Sequence, residues 1–302
     1  MGAFSWTHKA LLDILKLVTK KRHSSKNKGN VSPMSFSLDI DSLPTLPIIV
    51  QQLMAEMNNP GSSIRDIAEL IERDQSMSSK ILKLVNSAFY GFSKRIGTIG
   101  HATSILGFET VKSLVLGVSV MDTFRIREFN MLAFWEHSIQ TASLSAFLAG
   151  KLRYPQKDEA FTIGLIHDVG KLIFMLQSPD IYRTIQNEYA QSGTPFLQLE
   201  RKYLKMDHAF AGAQVARLWN FPQAYIQAID GHHNRSCLND QPVSLRQVLY
   251  LSNLLCHLYV GDTDDALDIK VFNQLNLSFD EIQTHLKSMD AEIKEFLKYI
   301  SA

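Results

Sequence analysis

An all-helical fold is predicted by three observations. Apolar residues recur at helical spacing through nearly the whole chain. No segment shows the sustained alternation of a half-buried strand, and Gly, Pro or polar capping residues separate the periodic stretches. With 302 residues, 45% of them hydrophobic and 20% charged, the composition is that of a globular protein, long enough for two small domains or one large helical body.

The first element, Phe4 to Val18, reads as a short amphipathic helix followed by the polar linker KKRHSSKNKGNVSPMS. Residues 1–30 hold seven Lys and Arg against one acid, Asp13, so 24 basic residues face 29 acidic ones over the rest of the chain. Such a leader could lie on a membrane surface or a partner; its plainer reading is a terminal helix packed on the body, ahead of a linker. Its basic residues follow the apolar stretch, the wrong order for a secretory signal. No apolar run approaches the roughly 18–20 residues that span a bilayer, and Cys237 and Cys256 form no motif, as expected of reduced thiols. A cytoplasmic location is expected.

A compact helical region begins at LPTLPIIVQQLMAEMNNPGSS, where Pro44 and Pro47 set up a helix that Asn59-Pro60-Gly61 stops. In SSIRDIAELIERD, Ser62 or Ser63 is the expected N-cap, with Ile64, Ile67, Ala68 and Ile71 on one face. Asp74 opens the next helix, QSMSSKILKLVNSAFYG; GTIGHATSILG and FETVKSLVLGVSVMDTF follow. Residues 63–88 have the length of a helix-turn-helix, whose second helix would have to present base-reading and phosphate-binding side chains. Only Lys80 and Lys83 are basic there, while Met77, Ile81, Leu84 and Val85 look like core, so nucleic-acid binding is not expected.

Residues 130–260 form a second helical region, and the tail beyond it reads as two further helices, the last capped by Ser278. Within this region lies GLIHDVGKLIFML. As one helix at about 100° per residue, it gathers His167, Asp168 and Lys171 on one side, with Gly164 beside them. Leu165, Ile166, Val169, Leu172, Ile173 and Leu176 fall on the other. An imidazole beside a carboxylate supplies a mixed N/O ligand pair suited to Fe, Mn or Zn.

Partners for that pair must come from elsewhere in the chain. His8 and His23 lie in the leader, His285 in the tail, and His101 and His257 sit alone. The remaining five are His137, His167, His208, His232 and His233. His137 shares a helical stripe with Ala133, Thr141 and Ser145; His208 opens a helix; His232 and His233 follow AIDG, where a helix end could turn both rings towards one point. Any one of these is ordinarily a hydrogen-bonded core or surface histidine. Five of them with Asp168, spread over successive helices, suit a metal site built from inward side chains of a bundle.

The order of these motifs resembles the HD superfamily of metal-dependent phosphohydrolases, and is similar to its HD-GYP branch. Together with LPTLP, IAELIERD, KILKLVNSAFYG, TIGHATSILG and GLIHDVGKLI, the chain is identified as a member of the HDOD family, the HD-related output domain of bacterial signalling proteins. The resemblance covers residues 40–260. It implies an N-terminal helical bundle packed on an HD-like bundle, with a C-terminal helical extension. The implied organisation is a leader and linker over 1–36, an HDOD domain over 37–260 with lobes 37–125 and 126–260, and a helical tail over 261–302.

The resemblance also implies metal ligands at His137, His167, Asp168, His208, His232 and His233, with Lys171 as a phosphate contact, for Fe, Mn, Zn or Mg. Two positions depart from the pattern. A glutamate one turn before the first histidine is Ala133 here, and the late aspartate is Asn253; no GYP follows the paired histidines. Carboxylates offset the repulsion between clustered cations, and only Asp168 remains as an anionic ligand. One cation fits that set better than the bridged pair of two-metal hydrolysis. The expected function is regulatory signalling through a protein partner or a small nucleotide-like ligand. The alternative is a metal-dependent phosphohydrolase acting on a nucleotide or cyclic dinucleotide. There His167 and Asp168 hold the metal, an activated water attacks and Lys171 steadies a phosphate oxygen.

Overall fold

The computed structural model describes residues 37–57, 63–86, 92, 94–124, 126, 129–261 and 269–300. The leader, the Asn59-Pro60-Gly61 stop and the end of the NSAFYG motif lie outside the described residues. Every regular element among the described residues is helical, and none of these helices is long and apolar enough to cross a membrane.

The contacts divide the chain into two units. The smaller includes Ser178–Asp207 and holds α9 (Pro179–Ser192) and α10 (Phe196–Leu204), which pack on each other. Glu188 accepts hydrogen bonds from Lys202 and Tyr203 across this pair. The larger unit, Leu38–Gln177 with residues from His208 onward, holds the other helices of the described residues.

Local signals start the first helices of the larger unit. Ser63 caps α2 (Ile64–Arg73) in a reciprocal box with Asp66, and Asp74 caps α3 (Gln75–Val85) by accepting from the Met77 amide. Each such cap contributes about 1 kcal/mol. α1 (Ile48–Met57) precedes them; α4 (Ile99–Leu106) and α5 (Phe108–Thr123) follow. Ile67, Ala68, Ile71, Met77, Ile81 and Val85 are buried, whereas Leu84 is half-buried, and Lys80 is paired with Asp122.

The site-bearing part is built on α6 (Met131–Lys151) and α7 (Lys157–Ile166), which pack side by side. α8 (Val169–Gln177) packs on α11 (His208–Leu218), α11 on α12 (Gln223–Gly231), and α12 on α13 (Leu245–Val260), which returns to α6. α14 (Ile269–Gln274) and α15 (Phe279–Ile300) close the chain; Ser278 caps α15, which lies on α6. The Cys237 and Cys256 thiols are buried, and burial pushes both up to about 12.

One expectation is corrected. GLIHDVGKLIFML is two helices rather than one, because α7 ends at Ile166 and α8 begins at Val169. The His167 ring nitrogen Nδ1 lies 2.8 Å from the Gly164 carbonyl, the acceptor that the Asp168 amide would use in a continuing helix. The chain tightens instead, with the Lys171 amide on the Asp168 carbonyl at 2.9 Å. Leu176, expected on the apolar face, is accordingly exposed.

Close approach sets the α6–α7 interface. A Cβ on Gly164 would stand 2.6 Å from the Ala142 Cα and 2.9 Å from the Ser145 Oγ. Backbone cannot yield as a flexible side chain does. Gly164→Ala is expected to destabilise the protein by about 1–3 kcal/mol, read as a lower denaturation midpoint at unchanged m-value.

Candidate metal centre

Five chain segments converge here. α6 brings His137, the α7–α8 turn brings His167 and Asp168, and the first turn of α8 brings Lys171. α11 opens with His208, and α12 ends just before His232 and His233. α13 contributes Asn253 and, one turn on, His257.

The ligand-type atoms fall into two groups, His208–His232–His233 and His137–His167–Asp168, each spanning no more than 4.8 Å. Asp168 stands between them. Its Oδ1 is 3.2 Å from His208 Nε2 and 3.6 Å from His232 Nε2. Its Oδ2 is 3.4 Å from His167 Nε2, 3.6 Å from His137 Nε2 and 2.6 Å from Lys171 Nζ. Asp168, His167, His208 and His232 are buried. The His137 side chain is 20% exposed and that of Lys171 16%, so these two mark the open side of the pocket.

The protonation states suit metal ligands. Burial lowers His167 to about 3 and moves His232 below its ordinary value; it drives His137 and His233 well below theirs. These rings are neutral near pH 7. Burial pushes the Asp168 carboxyl up, but His167, Lys171 and His208 outweigh it and hold the group well below the usual carboxylate range. Two helix ends set tautomers. His167 Nδ1–H donates to the Gly164 carbonyl at 2.8 Å and His232 Nδ1–H to that of Ile229 at 2.6 Å, which turns both Nε2 lone pairs inward.

A cation fits this arrangement. His208 Nε2 lies 3.2 Å from His232 Nε2 and 2.9 Å from His233 Nε2. A proton on His208 Nε2 can point at only one of these two nitrogens and leaves the other in close contact with no hydrogen between them. Ligand nitrogens at right angles around a metal, on bonds of about 2.1 Å, stand about 3.0 Å apart. His167 Nε2 is also buried without a hydrogen-bond partner, a costly condition that a metal would relieve.

The pattern of the HDOD domain matches residues 43–235. The chain belongs to the HDOD domain family. Among curated relatives of this HDOD protein, an uncharacterized protein of Treponema pallidum is 26% identical over 252 residues, which are 83% of this chain and 49% of that one. The chain spans about half or less of the length of the curated relatives it matches. A crystal structure from Shewanella amazonensis, named "Putative phosphohydrolase", is 25% identical at a TM-score of 0.71, covering 86% of this chain and 96% of that one. A Marinobacter aquaeolei structure named "Putative signal transduction protein" shares the fold at a TM-score of 0.73 and 21% identity, covering 98% of this chain and 66% of that one.

Of the residues singled out from the sequence, His137, His167, Asp168, Lys171, His208, His232 and His233 all come together in this HDOD pocket. Ala133 lies exposed one turn before His137, and Asn253 Oδ1 is 3.0 Å from His137 Nε2. His257 does not sit alone, as its isolation in the sequence suggested. Its ring centroid is 4.7 Å from that of His137, and its spacing of one helical turn from Asn253 was the available signal. His101 is exposed, and His285 packs on Phe147 with Nε2 2.9 Å from Ser143 Oγ.

Two outcomes are expected. A Cβ on Gly170 would meet the His208 carbonyl at 2.0 Å, so Gly170→Ala shifts the backbone that carries His208 and keeps every polar side chain of the pocket. Metal affinity should fall about 10–100-fold, measured by calorimetric titration. In the metal-free protein, the unfolded chain protonates its histidines near 6.5 but folded His167 does so only near 3. Unfolding thus binds protons across that interval. The stability due to neutral His167 is full above pH 6.5 and is lost as pH falls towards 3, by about 1.4 kcal/mol per pH unit for each such group. Denaturation near pH 7 and near pH 5 should show this slope, reduced in His167→Gln.

Proposed function

We propose that this HDOD protein is a regulatory signalling module that acts through a protein partner or a small ligand, and that its buried histidine–aspartate pocket holds a divalent cation. The observation that carries this reading is the ligand balance. The five histidines remain in place around Asp168, while Ala133 and Asn253 stand where the HD pattern has carboxylates, so the two ligand groups share a single carboxylate. A cation in this pocket would tie together α6, the α7–α8 turn, α11 and α12, and so couple the helices of the larger unit. The signal-transduction name of the Marinobacter relative agrees with this role. The HDOD module is taken to run over residues 37–260, with the tail beyond it.

A second reading, hydrolysis of a nucleotide or cyclic dinucleotide, is favoured by Lys171 on the open side of the pocket and by the phosphohydrolase name of the Shewanella relative. In it the metal would supply Lewis acidity, Asp168 and the histidines would hold it, and Lys171 would bind a phosphate oxygen.

Metal analysis of the purified protein, paired with turnover of cyclic dinucleotides under added Mn or Fe, separates the two. Bound metal without turnover is expected. Turnover that disappears in His167→Ala would overturn the regulatory reading.

A further inference from the structure

We propose that residues 39–46 are a strap that ties the far ends of α8, α11 and α12 to α1 and α5, so that a movement of those two helices is felt at the pocket. The inference goes beyond the readings above and holds for the protein with or without a bound ion.

Three helices have one end at the pocket and the other at this strap. α8 leaves the pocket after Asp168 and ends at Gln177; α11 leaves it at His208 and is followed by Trp219. α12 starts just after Phe221 and Pro222 and returns to the pocket at His232 and His233. With nine to eleven residues each, at 1.5 Å per residue, they carry the chain about 13–17 Å from the pocket. α8 packs on α11 and α11 on α12. At the pocket end, Gly170 lies against the backbone of His208 and Gly212. That close contact is a pivot, and a shift at the far ends turns the helices about it. A close-packed interior passes such a displacement on rather than absorbing it.

The strap grips those far ends at two points. Gln177 Oε1 accepts from the Asp39 amide at 3.2 Å, and its Nε2 donates to the Asp39 carbonyl at 2.7 Å and to Ser42 Oγ at 3.0 Å. Asp39 shapes the turn that Gln177 holds, because its Oδ1 accepts from the amides of Asp41 and Ser42 at 3.1 and 3.3 Å. Further on, the Pro44 carbonyl accepts from Trp219 Nε1 at 3.0 Å, and Leu43 and Leu46 are buried. α1 begins two residues later and packs on α5. Phe124, just after α5, reaches the same indole, with ring centroids 6.2 Å apart. The contact continues from Trp219 to Phe221 at 5.7 Å and from Phe221 to Tyr225 of α12 at 6.2 Å. The segments before α1 and after α5 thus meet on one residue that belongs to the α11–α12 connection. The Gln177 bonds lie in exposed surroundings, whereas Trp219, Leu43 and Leu46 are buried. Exposed bonds with little apolar cover open at the low end of a protein's stability, so the Gln177 grip is the one that releases.

The test releases the strap and watches both ends of the three helices. The full chain, stripped of metal by chelator, is compared with Gln177→Ala and with Trp219→Phe, which removes the N–H donor and keeps an aromatic ring. Hydrogen exchange over residues 38–46 is followed by mass spectrometry, and the histidine rings by nuclear magnetic resonance at one pH, assigned with single His→Gln variants. Exchange over the strap is expected to rise about tenfold in Gln177→Ala. The ring signals of His208, His232 and His233 are expected to shift in both variants, while that of His285, stacked on Phe147, stays in place. Faster exchange with unmoved pocket rings makes the segment a local latch and overturns the coupling. Unchanged exchange overturns the strap itself. A shift of His285 as large as those in the pocket marks a general loosening and overturns the route. If Trp219→Phe does not fold, Gln177→Ala decides alone. Each of these failures leaves the metal reading intact, which ion analysis settles separately.

Discussion

The site depends on one buried carboxylate. Asp168 is sealed from water and touches both histidine groups and Lys171 at once. A charge in that position is costly unless it is paired, and here the charged partner is the Lys171 ammonium. Histidines from α6, α11 and the end of α12 stand round the same carboxylate. The electrostatics of one side chain and the packing of the larger unit are the same problem.

That turn exists because a side chain competes with the backbone. His167 takes the Gly164 carbonyl, the helix stops, and α8 leaves at a new start that brings Asp168 and Lys171 round together. His232 uses the Ile229 carbonyl in the same way at the end of α12. Both contacts end a helix and orient a ring, so the local backbone break and the ligand geometry share a cause. Gly164 and Gly170 then let α6 and α11 approach closely enough for their histidines to reach the same pocket.

The functional reading follows from what the pocket retains and what it lacks. Its histidine nitrogens converge on one carboxylate, with the Nε2 atoms of His167 and His232 turned inward by their Nδ1 hydrogen bonds. Its anionic share is one carboxylate, already half engaged by Lys171. Clustered cations need negative charge between them, so a pocket this poor in carboxylates is better suited to holding an ion, and with it the helices, than to running two-metal chemistry.

The sequence alone determined the all-helical class, the caps at Asp74 and Ser278, a cap at Ser62 or Ser63 that the structure assigns to Ser63, and the set of histidines that meets Asp168. Periodicity and capping act over three or four residues, and the histidines stand in ordered motifs, so both are legible in one dimension. The tertiary structure alone decided the break at His167–Asp168, the exposure of Leu176, the approach of His257 to His137 and the division of Asp168 between two groups. Those depend on which acceptor a ring finds and on contacts such as His137 with Asn253, 116 positions apart along the chain. A helical wheel places side chains around one axis. It cannot show a carbonyl lost to a neighbouring ring, or the two oxygens of one carboxylate facing different partners.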